Sequence, residues 1–474
     1  MLKQINVWNK LSEPAKSSVV FLLALTVTKG IIFIATPVFT RMMGEADIGL
    51  VGSYTSWRGI FEIFSILSMT SSGVFNVGMS QFRDNRSKYI SCAIGLCACT
   101  TIICSGLILI CYRWWGGFFD LPQRLVYLMC IQSLLLPAQT FWVSKQRYEY
   151  KYRAAFWVTV LTALFSQGVA IVAVYFAHSN LAEVRLWAAA CIELPVGIFF
   201  IILLIVRGKH VFNKTIWKET LLFAIPLIPH YLASIVLTAS DRIMVYNLDS
   251  PDAAGIYTVA YGIGAIGSII WGAIQGSFTP YVFDGLDNNK IDGIDKIANQ
   301  LVLFFGLGCI FISMIAPEAL KILGPSSYQI GAYAIPPVVG AVFISCLYNL
   351  FSLVEFYHKK SGFIALASMI AAGLNVILNI IFIPKGGFIA AGYTTLCAYI
   401  VLSLMHYINM KRIESIAIYN EKKLFGISFI ILILCIICQV LYQVFLMRYL
   451  LCIGMIIVAI IKRDLIRKVI GRKK

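Results

Sequence analysis

Four ionisable residues lie deep inside long apolar stretches of the sequence. They are Lys29, Arg58, Glu62 and Glu193. A charged side chain at the centre of a bilayer costs about 2.5–3.5 kcal/mol on insertion scales, so such residues usually face water or a partner of opposite charge. We therefore expect these side chains to line an aqueous cavity within the membrane.

The spacing of these residues limits what they can bind. Arg58 and Glu62 are four residues apart on one helix face, so they either neutralise each other or meet a ligand together. Lys29 is then left to bind an anion or to pair with Glu193.

Two more arginines stand at the predicted outer ends of helices. Arg41 and Arg242 can close an external gate or meet a departing anion, although Arg41 is also typical of a side chain that reaches from a helix end to the membrane surface. A compact ammonium with forked guanidinium groups suits phosphate or pyrophosphate. The predicted headgroup site is Lys29, Arg58 and Arg242, with Arg41, Glu62 and Glu193 as cavity or ion-pair residues.

A second polar set occurs in the later part of the chain. Asn375 and Asn379 are one helical turn apart, and Thr394 and Thr395 follow in the next apolar stretch. With Asp241, these oxygens can coordinate Na⁺. The alternative is that they form hydrogen bonds that hold neighbouring helices together.

Positioning these side chains requires membrane helices. The chain has 474 residues, of which 59% are hydrophobic and 13% charged, more apolar surface than a soluble domain buries. Backbone groups in lipid need internal partners, and ten-residue alternating strands are absent, which predicts an all-α polytopic protein. Fourteen spans leave no room for a catalytic external domain. The predicted spans are 17–40, 48–79, 89–112, 124–144, 154–177, 184–206, 219–246, 253–282, 297–323, 330–356, 361–383, 387–410, 424–445 and 447–461.

The basic residues follow the predicted loops alternately. The net charge of +17 comes from 39 Lys and Arg against 22 Asp and Glu. With a cytoplasmic N-terminus, 29 of the cations fall on inside segments and eight on outside segments. This distribution predicts that both termini are cytoplasmic and argues against nucleic acid as the partner. The basic tail, 462–474, is expected to lie on anionic inner-leaflet lipids.

Two short sequence patterns each recur later in the chain, at nearly the same interval. The stretch beginning at Arg41 is matched loosely by the one beginning at Arg242, and Leu186 opens a run that is matched from Phe388, both about 200 residues later. A six-span unit present twice in the same orientation explains this interval. The predicted domains are a first six-helix lobe at 1–210, a second at 211–412, two further helices at 413–461 and the tail.

Several short motifs occur in the later spans. They are Ser-Asp-Arg-Ile-Met at 240–244, Ala-Gly-Ile-Tyr at 254–257, Ala-Tyr-Gly at 260–262, Asn-Val-Ile-Leu-Asn at 375–379, Ile-Pro at 383–384 and Gly-Gly-Phe-Ile-Ala-Ala-Gly at 386–392. Together they resemble a known transporter family, the polysaccharide-transport branch of the multidrug/oligosaccharidyl-lipid/polysaccharide (MOP) exporter superfamily. This branch contains the Wzx-type flippases of O-antigen and capsule repeat units.

The resemblance implies two lobes in the V-shape of multidrug and toxic compound extrusion (MATE) transporters, with a cationic cavity. It also implies translocation of undecaprenyl-pyrophosphate-linked oligosaccharides to the periplasmic leaflet by alternating access, without a resident cofactor. Lys29 and Arg58 would take the role that an arginine cluster has in lipid II flippases. Asp241, Asn375, Asn379 and Thr394 resemble the sodium site of those proteins, with one acid replaced by an amide, which implies coupling to Na⁺ or H⁺.

Two other functions remain alternatives. A MATE-like, cation-coupled drug antiporter would have an acid-dominated lobe, against which Lys29 and Arg58 count. A polysaccharide polymerase or ligase would be an enzyme with a long external loop, whereas the predicted external connections are short. For the flippase, the expected location is the bacterial inner membrane, and the expected protein partners are a polysaccharide polymerase and a chain-length regulator.

Overall fold

The computed structural model describes residues 13–112, 120–288, 290–358, 361–414 and 417–461, and these contain no β-strand. Two compact units divide the chain, residues 1–235 and 236–474. The predicted basic tail and the first twelve residues lie outside the described residues. The all-helical fold class follows from the sequence, since long apolar runs in lipid must satisfy their own backbone groups.

The first unit consists of nine complete helices in its described part and the start of a tenth. They are α1 (Glu13–Met42), α2 (Glu45–Ser65), α3 (Ser72–Gln81), α4 (Arg86–Ile110), α5 (Gln123–Leu135), α6 (Pro137–Tyr148), α7 (Tyr152–Phe176), α8 (Leu181–Gly208), α9 (Lys214–Ala224) and α10 (Ile228–Leu248). A buried core joins α3, α4 and α6 through Phe75, Met79, Tyr89 and Phe141.

The second unit continues from α10. Its further helices are α11 (Pro251–Gly264), α12 (Ile266–Asp287), α13 (Ile294–Met314), α14 (Ala316–Leu323), α15 (Ile335–Tyr357), α16 (Ser361–Ile413), α17 (Glu421–Ile437) and α18 (Phe445–Ile461), with 3-10 segments at Ser326–Ala334 and Cys438–Gln443. Helix α15 packs against α16, α13 and α17 and is buried along most of its length.

The predicted number of fourteen spans is not confirmed. Among the described residues, eleven helices are long and apolar enough to cross a membrane, and the chain is a multi-pass membrane protein. One of the eleven, Gly362–Ile413, covers two predicted spans, and α2, with four charged residues, is not among them.

The long helix α16 is kinked at Gly387. This glycine has φ +61°, a conformation that disfavours residues with a Cβ. Asp249 accepts a hydrogen bond from the Phe388 N–H at 2.8 Å, and a Cβ at Gly387 would lie 3.1 Å from the same carboxylate. The kink thus separates the two predicted spans 361–383 and 387–410.

The predicted span 48–79 is wrong as a continuous helix. Helix α2 ends at Ser65, and Leu67 and Ser68 have φ of 51° and 52°. Thr100 and Thr101 on α4 donate hydrogen bonds to the freed carbonyl of Ser65, at 2.6 and 3.1 Å. The sequence 68–73, Ser-Met-Thr-Ser-Ser-Gly, is rich in residues typical of loops, and the tertiary hydrogen bonds stabilise the break.

The first unit extends further along the chain than the domain boundary that the sequence predicts at 210/211. Trp217 on α9 donates from Nε1 to the Cys92 carbonyl at 2.9 Å, and Gln81 donates to Glu219 at 2.6 Å. These bonds attach α9 to α4 and α3. The segment after residue 210 therefore packs with the first unit.

We expect Gly95→Ala to destabilise the first unit strongly. A Cβ at Gly95 on α4 would lie 2.2 Å from the Val211 carbonyl oxygen, and overpacking of this kind costs about 1–3 kcal/mol. Gly106→Ala on the same helix is the matched control, because nothing lies within 4 Å of its Cβ. In detergent, the first variant should unfold at a midpoint several degrees below the second. Equal midpoints would contradict the close approach of Val211 to α4.

Candidate functional site

Three of the predicted cavity residues form one polar network in the first unit. Arg58 Nε lies 2.9 Å from Glu62 Oε1, one turn along α2. Arg58 Nη1 donates to Gln132 Oε1 on α5 at 3.1 Å, and Gln132 Nε2 donates to Glu193 Oε2 on α8, also at 3.1 Å. Tyr54 donates to Gln132 at 2.6 Å. We call these five residues the Arg58 cluster.

The Arg58 cluster holds two carboxylates and one guanidinium. With all three groups ionised its formal charge is −1, and about a quarter to a third of the Arg58 and Glu62 side chains is exposed. The Arg58–Glu62 ion pair, one of the two arrangements that the sequence predicts, is formed. Glu193 bonds to Gln132, so the alternative pairing of Lys29 with Glu193 is not formed.

Lys29 and Arg41 lie on α1. Lys29 is exposed and makes no hydrogen bond or ion pair among the residues that the structure describes. Arg41 is exposed too and donates from Nη1 to the Pro37 carbonyl at 2.8 Å, a bond to its own helix end. Lys29 is therefore a predicted headgroup residue whose charge has no described counter-ion, and its binding role stays a prediction.

A buried carboxylate is the centre of the polar set in the second unit. Asp241, on α10, is 1% exposed. It accepts hydrogen bonds from Tyr257 on α11 at 2.9 Å, and from Asn379 and Thr395 on α16 at 2.8 and 2.5 Å. All three donors are neutral, so none of them compensates the charge of an ionised Asp241.

The amides around Asp241 form a second layer of this network. Asn375 Oδ1 accepts from Ser240 at 3.3 Å, and Asn375 Nδ2 donates to Thr395 at 3.1 Å. Thr394 donates to Asn379 Oδ1 in a very short hydrogen bond. The Asp241 cluster is therefore defined as Ser240, Asp241, Tyr257, Asn375, Asn379, Thr394 and Thr395.

Arg242 follows Asp241 but does not form an ion pair with it at 4 Å or less in the described structure. Its guanidinium carbon lies 4.5 Å from the centre of the Tyr261 ring, a cation–π distance. The predicted grouping of Arg242 with Lys29 and Arg58 at one headgroup site is not tested by this contact.

The chemistry of the Asp241 cluster suits a hard cation. Carboxylate, amide and hydroxyl oxygens are the ligands that such ions prefer, and an ion or a proton would bind at Asp241, whose hydrogen-bond donors are all neutral. The two carboxylate oxygens offer about four acceptor positions, of which three are used. One position is therefore free for a cation. Further oxygen ligands for that ion would come from the Asn379 amide or a hydroxyl, which would have to turn its oxygen toward it.

The sequence identified most of the Asp241 cluster and missed Tyr257. Asp241, Asn375, Asn379, Thr394 and Thr395 are brought together as expected, and Tyr257 is a further hydroxyl that donates to the carboxylate. In the first unit Gln132 was missed, although it joins α2, α5 and α8. An uncharged amide within an apolar span is the signal that points to such a residue.

A comparison with protein families decides the classification. Residues 15–286 match the family described as "Polysaccharide biosynthesis protein", more than half of the chain. The chain belongs to this family. Membership confirms the polysaccharide-transport resemblance that the sequence motifs indicate.

A curated relative of this polysaccharide biosynthesis protein is the "Lsg locus putative protein 1" of Haemophilus influenzae. The two are 24% identical over 394 residues, which is 79% of this chain and 94% of the relative. Its name adds no activity.

Solved structures show the fold. The lipid II flippase MurJ in an inward closed conformation has a TM-score of 0.66 at 17% identity, covering 95% of this chain and all of the other. An inward-facing MATE family transporter of the MOP superfamily has a TM-score of 0.60 at 12% identity, covering 84% and 99%. The fold is therefore of the MurJ and MATE type.

Proposed function

We propose that this protein is a flippase that moves undecaprenyl-pyrophosphate-linked oligosaccharide repeat units from the cytoplasmic to the periplasmic leaflet. Its family membership carries the proposal. For a polysaccharide biosynthesis protein with a multi-pass transporter fold, the expected cargo is a membrane-bound polysaccharide precursor. The fold shared with a lipid II flippase supports the same class of cargo. Transport would proceed by alternating access, and no bond is made or broken.

The diphosphate headgroup would bind to cationic side chains of the first unit. Lys29 offers an exposed ammonium, and Arg58 would exchange part of its contact with Glu62 for phosphate oxygens. Arg242 is the candidate from the second unit. We also propose that the protein lies in the inner membrane with both termini in the cytoplasm. A polymerase and a chain-length regulator would receive the exported unit.

Cation coupling is the second part of the proposal. Na⁺ or H⁺ would bind at Asp241, to which Asn375, Asn379 and Thr394 are joined through the hydrogen-bond network described above. A buried carboxylate is costly without a compensating charge, so binding of the cation would favour this packed arrangement of α10 and α16.

One observation favours the antiporter as a second candidate. The Arg58 cluster has one more carboxylate than guanidinium groups, as a site for an organic cation would.

In cells that use the gene for a surface polysaccharide, deletion should remove the polysaccharide and retain its lipid-linked precursor on the cytoplasmic leaflet. Normal polysaccharide with raised sensitivity to cationic drugs would instead support the antiporter.

We expect Lys29→Ala to reduce flipping about tenfold or more, the effect of losing one charged hydrogen bond to the headgroup. Lys29→Arg, which keeps the charge, should retain most of the activity. Because Lys29 has no described partner, thermal stability should not change. Flipping rates of the two purified variants in vesicles measure the effect, and equal loss in both would argue against an electrostatic role.

A further inference from the structure

A buried acid–histidine pair lies in the second unit, apart from both clusters described above. Glu355 on α15 and His406 on α16 are each 0% exposed. His406 Nδ1 lies 2.7 Å from Glu355 Oε2, and Asn409 donates to Glu355 Oε1 at 2.8 Å. His406 Nε2 is buried and has no hydrogen-bond partner among the described residues. The proposed headgroup and cation sites do not use this pair.

The number of protons on the pair decides its charge. If Glu355 is ionised and His406 is neutral with its proton on Nδ1, Nε2 needs no acceptor, but a net negative charge is buried. One further proton makes the pair neutral, either as carboxylate with imidazolium or as carboxylic acid with an Nε2–H imidazole. Both of these forms place a hydrogen on Nε2, where no acceptor is described.

The free-energy costs of the two forms favour the one with the extra proton. An unsatisfied buried donor costs about 1–3 kcal/mol, whereas an uncompensated buried ion costs several kcal/mol even after relaxation. The Tyr348 ring stacks on His406 at 5.6 Å and 28°, which also favours an imidazolium. In this sealed environment the pair should therefore hold its proton.

Among the described residues, no group other than His406 forms an ion pair with Glu355. On the helices packed against α15, Asp287 accepts from Tyr357, Glu414 bonds His358, and Lys411 pairs with Glu421. The buried Tyr419, Cys309, Cys346 and Cys435 and the partly buried Tyr348 and Tyr399 are neutral in their ordinary protonated forms. Among the groups that the structure describes, the extra proton is thus the charge available to balance Glu355.

We propose that Glu355 and His406 form a proton-binding site, distinct from the Asp241 cluster, that is loaded in this conformation and unloads when water reaches it. Water at the pair would solvate the carboxylate and accept the Nε2 proton. The extra proton would then no longer be favoured on the pair. His406 is eleven residues beyond Thr395, three turns along the same face of α16 and about 16 Å away. The role in transport rests on the proposed function, whereas the proton site itself does not.

The protonation state can be read directly by nitrogen NMR of purified protein labelled with ¹⁵N-histidine. The chain has only five histidines, and the His406 signal is the one that His406→Gln removes. At pH 7.5, above the ordinary histidine titration, we expect a proton on His406 Nε2. A bare Nε2 with the proton on Nδ1 would overturn the proposal. His358, which faces the surface and bonds Glu414, is the internal control.

A transport experiment tests the coupling. In vesicles carrying undecaprenyl diphosphate with a short oligosaccharide, a pH difference of one unit should change the wild-type rate by up to about tenfold, the limit for one coupled proton. Glu355→Gln, which preserves the shape, should reduce this response, any remainder being a proton bound at Asp241, and His358→Gln should keep the full response. An unchanged response in Glu355→Gln would overturn the coupling role. If wild type moves no lipid at all, the proposed function fails, while the NMR result still decides the proton site.

Discussion

Replacing Asp241 by asparagine is expected to reduce flipping by about tenfold to a hundredfold, the equivalent of losing a charged contact of 1.5–3 kcal/mol. Asparagine has the same shape, so α10, α11 and α16 should still pack. It removes the negative charge that would bind Na⁺ or H⁺, and its Nδ2 would face the hydroxyl or amide donors that now bond the carboxylate. The measurement is the flipping rate in vesicles with and without gradients of Na⁺ and pH.

Asp249→Asn is the matched control for this substitution. Asp249 is exposed just beyond the end of α10, and it accepts a hydrogen bond from the Phe388 N–H. Asparagine can accept the same bond, so this variant should flip within about twofold of wild type. If Asp241→Asn also retained the wild-type rate and its dependence on the gradients, cation binding at Asp241 would be excluded.

Arg58→Ala should likewise reduce flipping by about tenfold or more, because it removes a guanidinium from the proposed headgroup site. It also leaves Glu62 and Glu193 without the positive charge of the Arg58 cluster. The purified variant should therefore be compared with wild type both for flipping in vesicles and for thermal unfolding in detergent.

The double variant Arg58→Ala with Glu62→Gln separates the two roles of Arg58. If the arginine binds the headgroup, removal of the neighbouring carboxylate does not restore transport, and the double variant should remain slow. If Arg58 only neutralises Glu62, the double variant should recover the wild-type rate, which would contradict the proposed site. Arg124→Ala is the control for loss of an arginine, because Arg124 is 75% exposed and its nitrogen lies 3.8 Å from Glu183.

The sequence predicted those parts of the sites that contrast with an apolar background. Charged and amide residues within membrane spans stand out, so Asp241, Asn375 and Asn379 were found together with Arg58 and Glu62. Tyr257 was missed because a tyrosine is common in a long helix, and Gln132 was missed although an amide within a span is such a signal. Only the packing of separate helices shows that they bond these charges.

The limits on predicting the fold have the same cause. Apolar run length predicts that a segment is a membrane helix, but not where tertiary contacts end it. The break after Ser65 depends on hydrogen bonds from Thr100 and Thr101, which are distant in sequence. The packing of α9 on the first unit depends on Trp217 and Cys92. In contrast, the kink at Gly387 was reflected in the predicted spans, since Pro384 and two glycines interrupt the apolar pattern there.

The most direct test of the account is translocation of the lipid itself. Purified protein is reconstituted in vesicles with undecaprenyl diphosphate carrying a short oligosaccharide, and a membrane-impermeant lectin measures how much sugar reaches the opposite leaflet. We predict exposure well above that in protein-free vesicles, and reduced exposure with Asp241→Asn or Arg58→Ala. Exposure no faster than in protein-free vesicles, together with gradient-driven movement of a cationic dye, would contradict the flippase assignment.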